Sequence, residues 1–201
     1  MKKAALMILA LVLCMNMSGC LGAVQADDYI YVVGIGFDKG SQYRFNVTFL
    51  VQKDVSGSEQ TSTGSAEIIS AEGDTLFDAI TVLSAGVPFR INFSRVNTFF
   101  FGEEVARSGS IKELSNITFN ALKIRQSAKL MVCLGTAQRL MQGLCLEDVP
   151  NITKLQFSVF QDYAAEGITV ITNYAGMLES IRGRRSEPLM MLGGGDVSAV
   201  K

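Results

Sequence analysis

The sequence contains no histidine and no tryptophan. Histidine is the commonest general base and metal ligand in proteins, so its absence excludes catalysis by Ser-His-Asp or Cys-His arrangements. The formal net charge is only −1 and no basic tract occurs, so nucleic acid is not an expected partner. Acidic residues are dispersed and form no calcium-loop pattern. We therefore predict no metal, no cofactor and no nucleic-acid partner.

The first twenty residues have the order of a secretory signal. Lys2 and Lys3 form a positive start, and residues 4–15 are an apolar run without a charge. The run is too short to span a bilayer as a helix, which needs about 20 residues. It is followed by Met-Ser-Gly-Cys at 17–20, which resembles a bacterial lipobox.

This segment has three interpretations: a lipoprotein signal, an ordinary cleaved signal with a cysteine near the cut, and an uncleaved N-terminal anchor. We predict the first, in which cleavage falls between Gly19 and Cys20 and Cys20 carries diacylglycerol and further acyl chains such as palmitate. Two or more acyl chains hold a protein stably on a membrane, whereas one chain does not. The predicted location is the exported face of a cell membrane.

Of the four cysteines, Cys14 leaves with the leader and Cys20 is the predicted acylation site, so Cys133 and Cys145 remain. Outside the membrane they could form a disulfide. Cys133 lies inside the apolar run 130–134, and free cysteine is among the most buried residue types. We favour a buried free thiol at Cys133, with the disulfide as the alternative.

Removal of the predicted leader, residues 1–19, from the 201-residue chain leaves 182 residues, enough for one domain with its own core. Residues 20–28 are small or polar and predict a tether. The folded domain is expected at 29–192. Residues 193–201 begin with three glycines and resemble a truncated linker.

The first part of the domain is predicted to be rich in strands. Residues 29–37 are apolar at both parities, which indicates a strand buried on both faces. Gly34 and Gly36 lie inside this strand and lack a third glycine, so they do not form a nucleotide-binding loop. Residues 43–52 alternate apolar and polar side chains, which predicts a half-buried strand that pairs back as a hairpin. After a polar loop at 54–65, a short third strand is expected at 66–71.

The middle of the domain combines helices with further strands. Thr75 and Asp78 have capping-box spacing, so a helix is expected to begin there and to end at Gly86. The elements predicted after it are a strand at 95–101, a helix at 111–124, a strand at 129–134 and a short helix from 137. The two strands and the helix between them form a predicted parallel β-α-β unit.

The last third predicts a helix at 150–163, a strand at 168–171 and a helix at 174–181. Three arginines at 182–185 are flanked by Glu179 and Glu187, which favours a solvated loop over a lipid-binding patch. The fold class is therefore α+β, a mixed parallel and antiparallel sheet with helices packed on it.

Glu103 and Glu104 are the paired carboxylates considered for catalysis. A glycosidase pair needs two carboxyl groups roughly 5–9 Å apart across a cleft, whereas neighbours at a strand end diverge. We expect these acids instead to favour the positive start of a following helix. No catalytic residue is predicted.

Two stretches resemble the Ger(x)C family, the lipoprotein C subunits of spore germinant receptors. One is Gly-Asp-Thr-Leu-Phe-Asp-Ala at 73–79, and the other is the strand from Arg95 that runs into Gly-Glu-Glu-Val-Ala-Arg-Ser-Gly at 102–109. The order of lipobox, tether, first strand and hairpin matches as well. The chain departs from the family at Leu21-Gly22-Ala23, where Trp-Asp is frequent, and at Arg95, where histidine is frequent.

The likeness covers most of residues 17–192 and only the N-terminal domain of the family, whose members are roughly twice this length. It implies a non-enzymatic subunit, anchored through Cys20 and acting with integral membrane germinant-receptor subunits in the spore inner membrane. Nutrient-triggered spore germination is the implied process. The alternatives are a solute-binding lipoprotein of a membrane transporter and a cell-envelope enzyme that depends on Glu103 or Glu104.

Overall fold

The computed structural model describes Lys3 and residues 29–52, 66–114, 122, 124–146, 161–183 and 188–194. Several predicted features lie outside the described residues: the leader apart from Lys3, Gly19 and Cys20 at its cleavage site, the tether, the loop at 54–65, most of the helices at 111–124 and 150–163, and the tail after Gly194.

The described residues form a sheet of seven strands with helices packed on it. The strands are β1 (Tyr29–Lys39), β2 (Phe45–Gln52), β3 (Ala66–Gly73), β4 (Arg90–Asn92), β5 (Thr98–Gly102), β6 (Lys129–Cys133) and β7 (Met191–Gly193). The helices are α1 (Leu76–Gly86), α2 (Glu103–Arg107), α3 (Ala137–Leu146) and α4 (Tyr174–Gly183). Further helical turns occur at 111–114 and 161–165.

The sheet mixes antiparallel and parallel pairing, as predicted. Its order is β3-β2-β1-β5-β6-β7, and β4 pairs with the first residues of β1. β1, β2 and β3 pair antiparallel, whereas β1, β5, β6 and β7 run parallel, and β4 is parallel to β1. The α+β fold class is confirmed, and so is the parallel pairing of the strands on either side of the predicted helix.

The parallel strands begin at one side of the sheet and end at the opposite side, and these two sides are called the N-terminal edge and the C-terminal edge below. The C-terminal edge is where β1, β3, β5 and β6 end, and it comprises residues 38–44, 72–75, 102–104 and 134–138. The N-terminal edge is where β1, β4, β5 and β6 begin, and it comprises residues 29–31, 89–97 and 125–129.

One face of the sheet carries the larger, aromatic core. Phe37 of β1 stacks on Phe101 and Phe99 of β5, with ring centroids 5.7 and 6.4 Å apart. Leu76, Ala79 and Leu83 from α1 join this cluster, as do Tyr174 and Met177 from α4. Burial of these side chains supplies the main hydrophobic stabilisation of the fold.

The other face is covered by α3 and contains a smaller, sulfur-rich cluster. Its members are Val33, Leu50, Phe100, Met131, Cys133, Ala137, Met141 and Met191. Gly36 lets α3 approach β1 closely, because a Cβ there would lie 2.7 Å from the Met141 sulfur and 3.1 Å from the Ala137 Cβ. With a core on each side, β1 is buried on both faces, as its apolar residues at both parities predicted.

Both described cysteines are free thiols, and Cys133 is fully buried. Burial, and secondarily the nearby Asp38 charge, raises the pKa of the Cys133 thiol to about 12. The favoured prediction of a buried free thiol is confirmed, and the disulfide is not formed.

The prediction of a half-buried second strand is wrong at the centre of β2. Thr48, on the face expected to be solvated, and Leu50, the apolar exception on that face, are fully buried because α3 packs across that side of the sheet. Tyr43, expected to point inward, lies in the loop before β2 and is 53% exposed.

The predicted strand at 168–171 is also wrong. The amides of Ile168 and Thr169 donate to the Tyr163 carbonyl and close the preceding helical turn. Ile168 and Val170 are exposed, and the backbone hydrogen bond to β6 comes from the residue after this segment, where the Leu130 amide donates to the Thr172 carbonyl.

Two three-residue strands, β4 and β7, were not predicted, and β5 begins at Thr98 rather than Arg95. Val96 donates its amide to the Phe93 carbonyl, so the chain turns before β5. The helix beginning at Thr75 and ending at Gly86 is confirmed, as are α3 and α4.

Candidate functional site

The C-terminal edge contains the candidate site that the described residues offer. Ligands of open sheets with parallel strands bind beyond the carboxyl ends of the strands, which makes this edge the first place to look for function. A crevice lies there between the ends of β1 and β5 and the start of α3. It is lined by Asp38, Lys39, Gly102, Glu103, Glu104, Arg107, Gly135 and Thr136.

Asp38 joins the end of β1 to the start of α3. One carboxylate oxygen accepts the Ala137 amide at 2.7 Å, and the other accepts the Gln138 amide at 2.8 Å. These amides begin a helix, where backbone donors lack helical partners and the helix dipole favours a negative charge. Burial raises the pKa of the Asp38 carboxyl, and the Gln138 and Ala137 amides act in the opposite direction. Asp38 is thus a helix cap supplied by a neighbouring strand.

Gly102 is required beside this cap. A Cβ at Gly102 would collide with Oδ1 of Asp38, so a larger residue would displace the buried carboxylate. The Glu103 amide donates to the Gly135 carbonyl at 2.8 Å, which ties the start of α2 to the loop before α3. Gly135 has φ of +81°, a left-handed conformation that favours glycine.

Glu103 and Glu104 lie in the first turn of α2, a short helix that the sequence did not predict, and they bind different partners. Their position at a helix start agrees with the expectation, although the helix expected to follow them was the one at 111–124. Glu103 accepts hydrogen bonds from Arg107, at 2.8 Å from Nη2, and from the Gly135 amide at 3.3 Å. The Arg107 guanidinium, followed by the Gly135 amide, lowers the pKa of the Glu103 carboxyl. Glu104 forms an exposed ion pair with Lys39 at 3.1 Å.

The chemistry of the crevice therefore serves the fold. Each of its described carboxylates is held by a backbone amide or a cation. Within the described ranges, no group of three or more Cys, Asp and Glu side chains could hold a metal ion. What the arrangement does is lock β1, α2 and α3 together.

A second cluster on the same edge fixes the hairpin loop between β1 and β2. The Glu72 carboxylate accepts the amides of Ser41, Gln42 and Tyr43 at 2.8, 2.9 and 3.2 Å, and also the Ser41 hydroxyl. These bonds, led by the Ser41 amide, lower the pKa of Glu72 to about 2. Arg44, next in the loop, forms two hydrogen bonds with Glu113 at 2.6 and 2.7 Å.

The stretch at 73–79 is also structural. Thr75 caps α1: its hydroxyl accepts the Asp78 amide while the Asp78 carboxylate accepts the Thr75 amide, the predicted capping box. Gly73 is required because a Cβ there would lie 2.8 Å from the Ala79 nitrogen. The residues that carry the family resemblance therefore build helix starts and strand ends.

Comparison with known families decides the assignment. A family model described as the spore germination protein N-terminal domain matches residues 22–188, most of the chain. The chain belongs to this family. Membership associates the chain with spore germination and accounts for the resemblance found in the sequence.

A curated relative of the chain also has a name that refers to spore germination. The chain is 27% identical over 150 residues to the putative spore germination protein YfkR of Bacillus subtilis (strain 168). The match covers 71% of this chain and 39% of the relative, so the chain spans well under half of that protein. No solved structure is significantly similar to the chain.

The predicted anchoring residues, Gly19 and Cys20, lie outside the described residues, so their arrangement stays a prediction. Among the described helices, none combines the length and apolar character needed to cross a membrane.

The capping role of Asp38 was not predicted from the sequence. A signal was available: an aspartate directly follows a strand buried on both faces, and acids at that edge are well placed to cap a helix that starts beside it.

Proposed function

We propose that this chain is the lipid-anchored, non-enzymatic N-terminal domain of a germinant-receptor subunit in the spore inner membrane. The observation that carries the proposal is the family match over residues 22–188, directly preceded by a lipobox that ends at Cys20. The family supports the process, and the lipobox supports the anchor.

A binding role fits the chemistry of the C-terminal edge. Asp38, Glu103 and Glu104 are engaged in bonds that hold elements together, which supports an interaction module rather than an enzyme. An acylated Cys20 confines the domain to the membrane surface and raises its effective concentration near integral membrane subunits. We infer that such subunits are its partners.

The anchor is tested by replacing Cys20 with Ala in the protein at its own locus in sporulating cells. Membrane and soluble fractions are compared by immunoblotting, with Cys145→Ser as the matched control because Cys145 lies in the folded domain. We expect Cys20→Ala to leave the membrane fraction and Cys145→Ser to remain in it. Unchanged membrane association of Cys20→Ala would contradict the proposal.

The partners are tested by affinity purification from detergent-solubilised spore membranes. The wild-type protein is expected to recover polytopic membrane subunits, identified by mass spectrometry. Recovery of no membrane protein in the wild type, with anchoring intact, would contradict receptor membership while leaving the anchor in place.

A further inference from the structure

The N-terminal edge combines exposed arginines with aromatic side chains. Arg90, Arg95 and Arg125 are all exposed there. Phe89 is 39% exposed, and Tyr29 and Tyr31 at the start of β1 are half-buried. Arginine with aromatic side chains is the composition found where a protein meets the headgroup region of a bilayer.

The topology gathers these residues from separate parts of the chain. β4 runs parallel to β1 and places Arg90 opposite Tyr29. Arg95 lies in the turn before β5, with its guanidinium carbon 3.8 Å from the centroid of the Tyr31 ring. Arg125 lies in the turn before β6, where its carbonyl accepts the Ala128 amide. The starts of β4, β5 and β6 therefore place these three arginines at the same edge of the sheet.

This edge is also where the tether enters the domain. Residues 20–28 connect Cys20 to Tyr29, and nine residues span about 30 Å at full extension. If Cys20 is acylated, the first residue of β1 must lie within that distance of the bilayer. The C-terminal edge lies further from Tyr29, by the length of β1.

Charge favours the same orientation. The residues of the C-terminal edge include the acids Asp38, Glu72, Asp74, Glu103 and Glu104 against the cations Lys39 and Arg44. An anionic surface therefore repels that edge. Asp27 and Asp28 directly precede Tyr29 in the sequence and reduce the net charge of the N-terminal edge. Its attraction for phosphate accordingly depends on guanidinium groups, which bind phosphate oxygens in bidentate fashion.

We propose that the N-terminal edge of the sheet faces the membrane and binds anionic phospholipid headgroups through Arg90 and Arg125. This inference rests on the anchoring of Cys20 in the proposed function. It assigns the domain a fixed orientation, with the C-terminal edge directed away from the bilayer. The lipid ligand is the phosphate of an anionic phospholipid in a bilayer.

The orientation is tested with two labels, each on one introduced cysteine, in the acylated, full-length protein with Cys145→Ser. The remaining Cys133 is fully buried and inaccessible to the label. Ser94→Cys lies on the N-terminal edge, and Gln42→Cys lies on the C-terminal edge; both native side chains are exposed. Each fluorophore-labelled protein is reconstituted into vesicles that contain a headgroup-linked quencher. The vesicles consist of phosphatidylcholine alone or of phosphatidylcholine with phosphatidylglycerol.

We expect the label at 94 to be quenched several-fold more than the label at 42 on phosphatidylglycerol vesicles. On phosphatidylcholine alone the difference should shrink. The double variant Arg90→Gln, Arg125→Gln should remove most of the difference on anionic vesicles. Equal quenching at both positions, or no response to the arginine changes, would overturn the orientation.

Failure of the anchor and failure of the inference are distinguishable. If the wild-type protein is not acylated and does not remain with the vesicles, the proposed function fails. If it remains anchored but the two labels are quenched equally, the anchor stands and the inference fails. An effect of the arginine changes that requires added membrane subunits, and is absent on vesicles, would also overturn lipid binding.

Discussion

The two edges of the sheet use their charges differently. At the C-terminal edge, the carboxylates of Asp38, Glu72 and Glu103 accept hydrogen bonds from backbone amides, and Glu103 also accepts one from Arg107. At the N-terminal edge, Arg90 at the start of β4 and Arg125 in the turn before β6 are exposed to solvent. The carboxylates of the C-terminal edge therefore stabilise the fold, and we propose that the N-terminal edge is the one that contacts a partner. Glu103 shows that a charged residue within a family motif can serve the fold, because its carboxylate is bound to Arg107 and the Gly135 amide.

The largest expected effect comes from crowding the C-terminal edge. Gly102→Ala places a methyl group against the Asp38 carboxylate, and we expect a loss of about 3 kcal/mol in the free energy of unfolding. Gly86→Ala is the matched control, because a Cβ at the end of α1 meets nothing within 4 Å. Urea denaturation measures both. Equal stability of the two variants would show that Asp38 is not held where the structure places it.

A smaller loss is expected from Asp38→Asn. The amide group keeps one acceptor and puts a donor against the second helix amide, which should cost about 2 kcal/mol. Glu104→Gln is the control, since its ion pair with Lys39 is exposed and should change the unfolding free energy by less than about 1 kcal/mol. If the two variants lost the same stability, the contrast between a buried cap and a surface pair would be wrong.

The Glu72 cluster predicts a dependence of stability on acid pH. The pKa of Glu72 falls from an ordinary 4.5 to about 2 on folding, so its contribution is complete above about pH 4.5 and is lost as the pH falls towards 2. Glu72→Gln should be less stable at pH 7 and should lose less stability between pH 5 and 2.5 than the wild type. Denaturant titrations across that range measure the difference.

Asp38 acts with the opposite sign in the same titration. Because burial raises its folded pKa, its ionised form is disfavoured on folding, and this group lowers stability as the pH rises through its titration.

A Glu72→Gln variant with the full acid dependence of the wild type would contradict the prediction for Glu72. The loss of stability in acid would then come from other carboxyl groups, such as Glu103.

The smallest effect on stability is expected at the N-terminal edge. Arg90→Gln with Arg125→Gln should change the unfolding free energy by less than about 0.5 kcal/mol each, because both side chains are exposed. The same double variant is expected to lose its orientation on anionic vesicles. A large loss of stability instead would mean that these arginines, like the acids of the other edge, serve the fold.

The sequence predicted the elements whose signals are local. The capping box at Thr75 and the β1 run that is apolar at both parities depend on residues close together in the chain, and both were confirmed. The parallel pairing of β5 and β6 followed from the connection expected between them. The family was predicted from the order of short motifs along the sequence, and the family match confirmed it.

The features that were missed depend on contacts distant in sequence. Burial of Thr48 comes from α3, which begins about ninety residues later. Short β4 and β7 contain three residues each and carry no periodicity, so pairing with longer strands defines them. The Asp38 cap joins residues 99 and 100 positions apart.

The central claim is that this domain acts through its anchor and not through carboxylate chemistry at the C-terminal edge. The most direct test compares nutrient-triggered germination of spores carrying Cys20→Ala with spores carrying Glu104→Gln, in the full protein at equal abundance by immunoblot. The account predicts a strongly impaired response for Cys20→Ala and a wild-type response for Glu104→Gln. A germination defect in Glu104→Gln, with wild-type behaviour in Cys20→Ala, would contradict it.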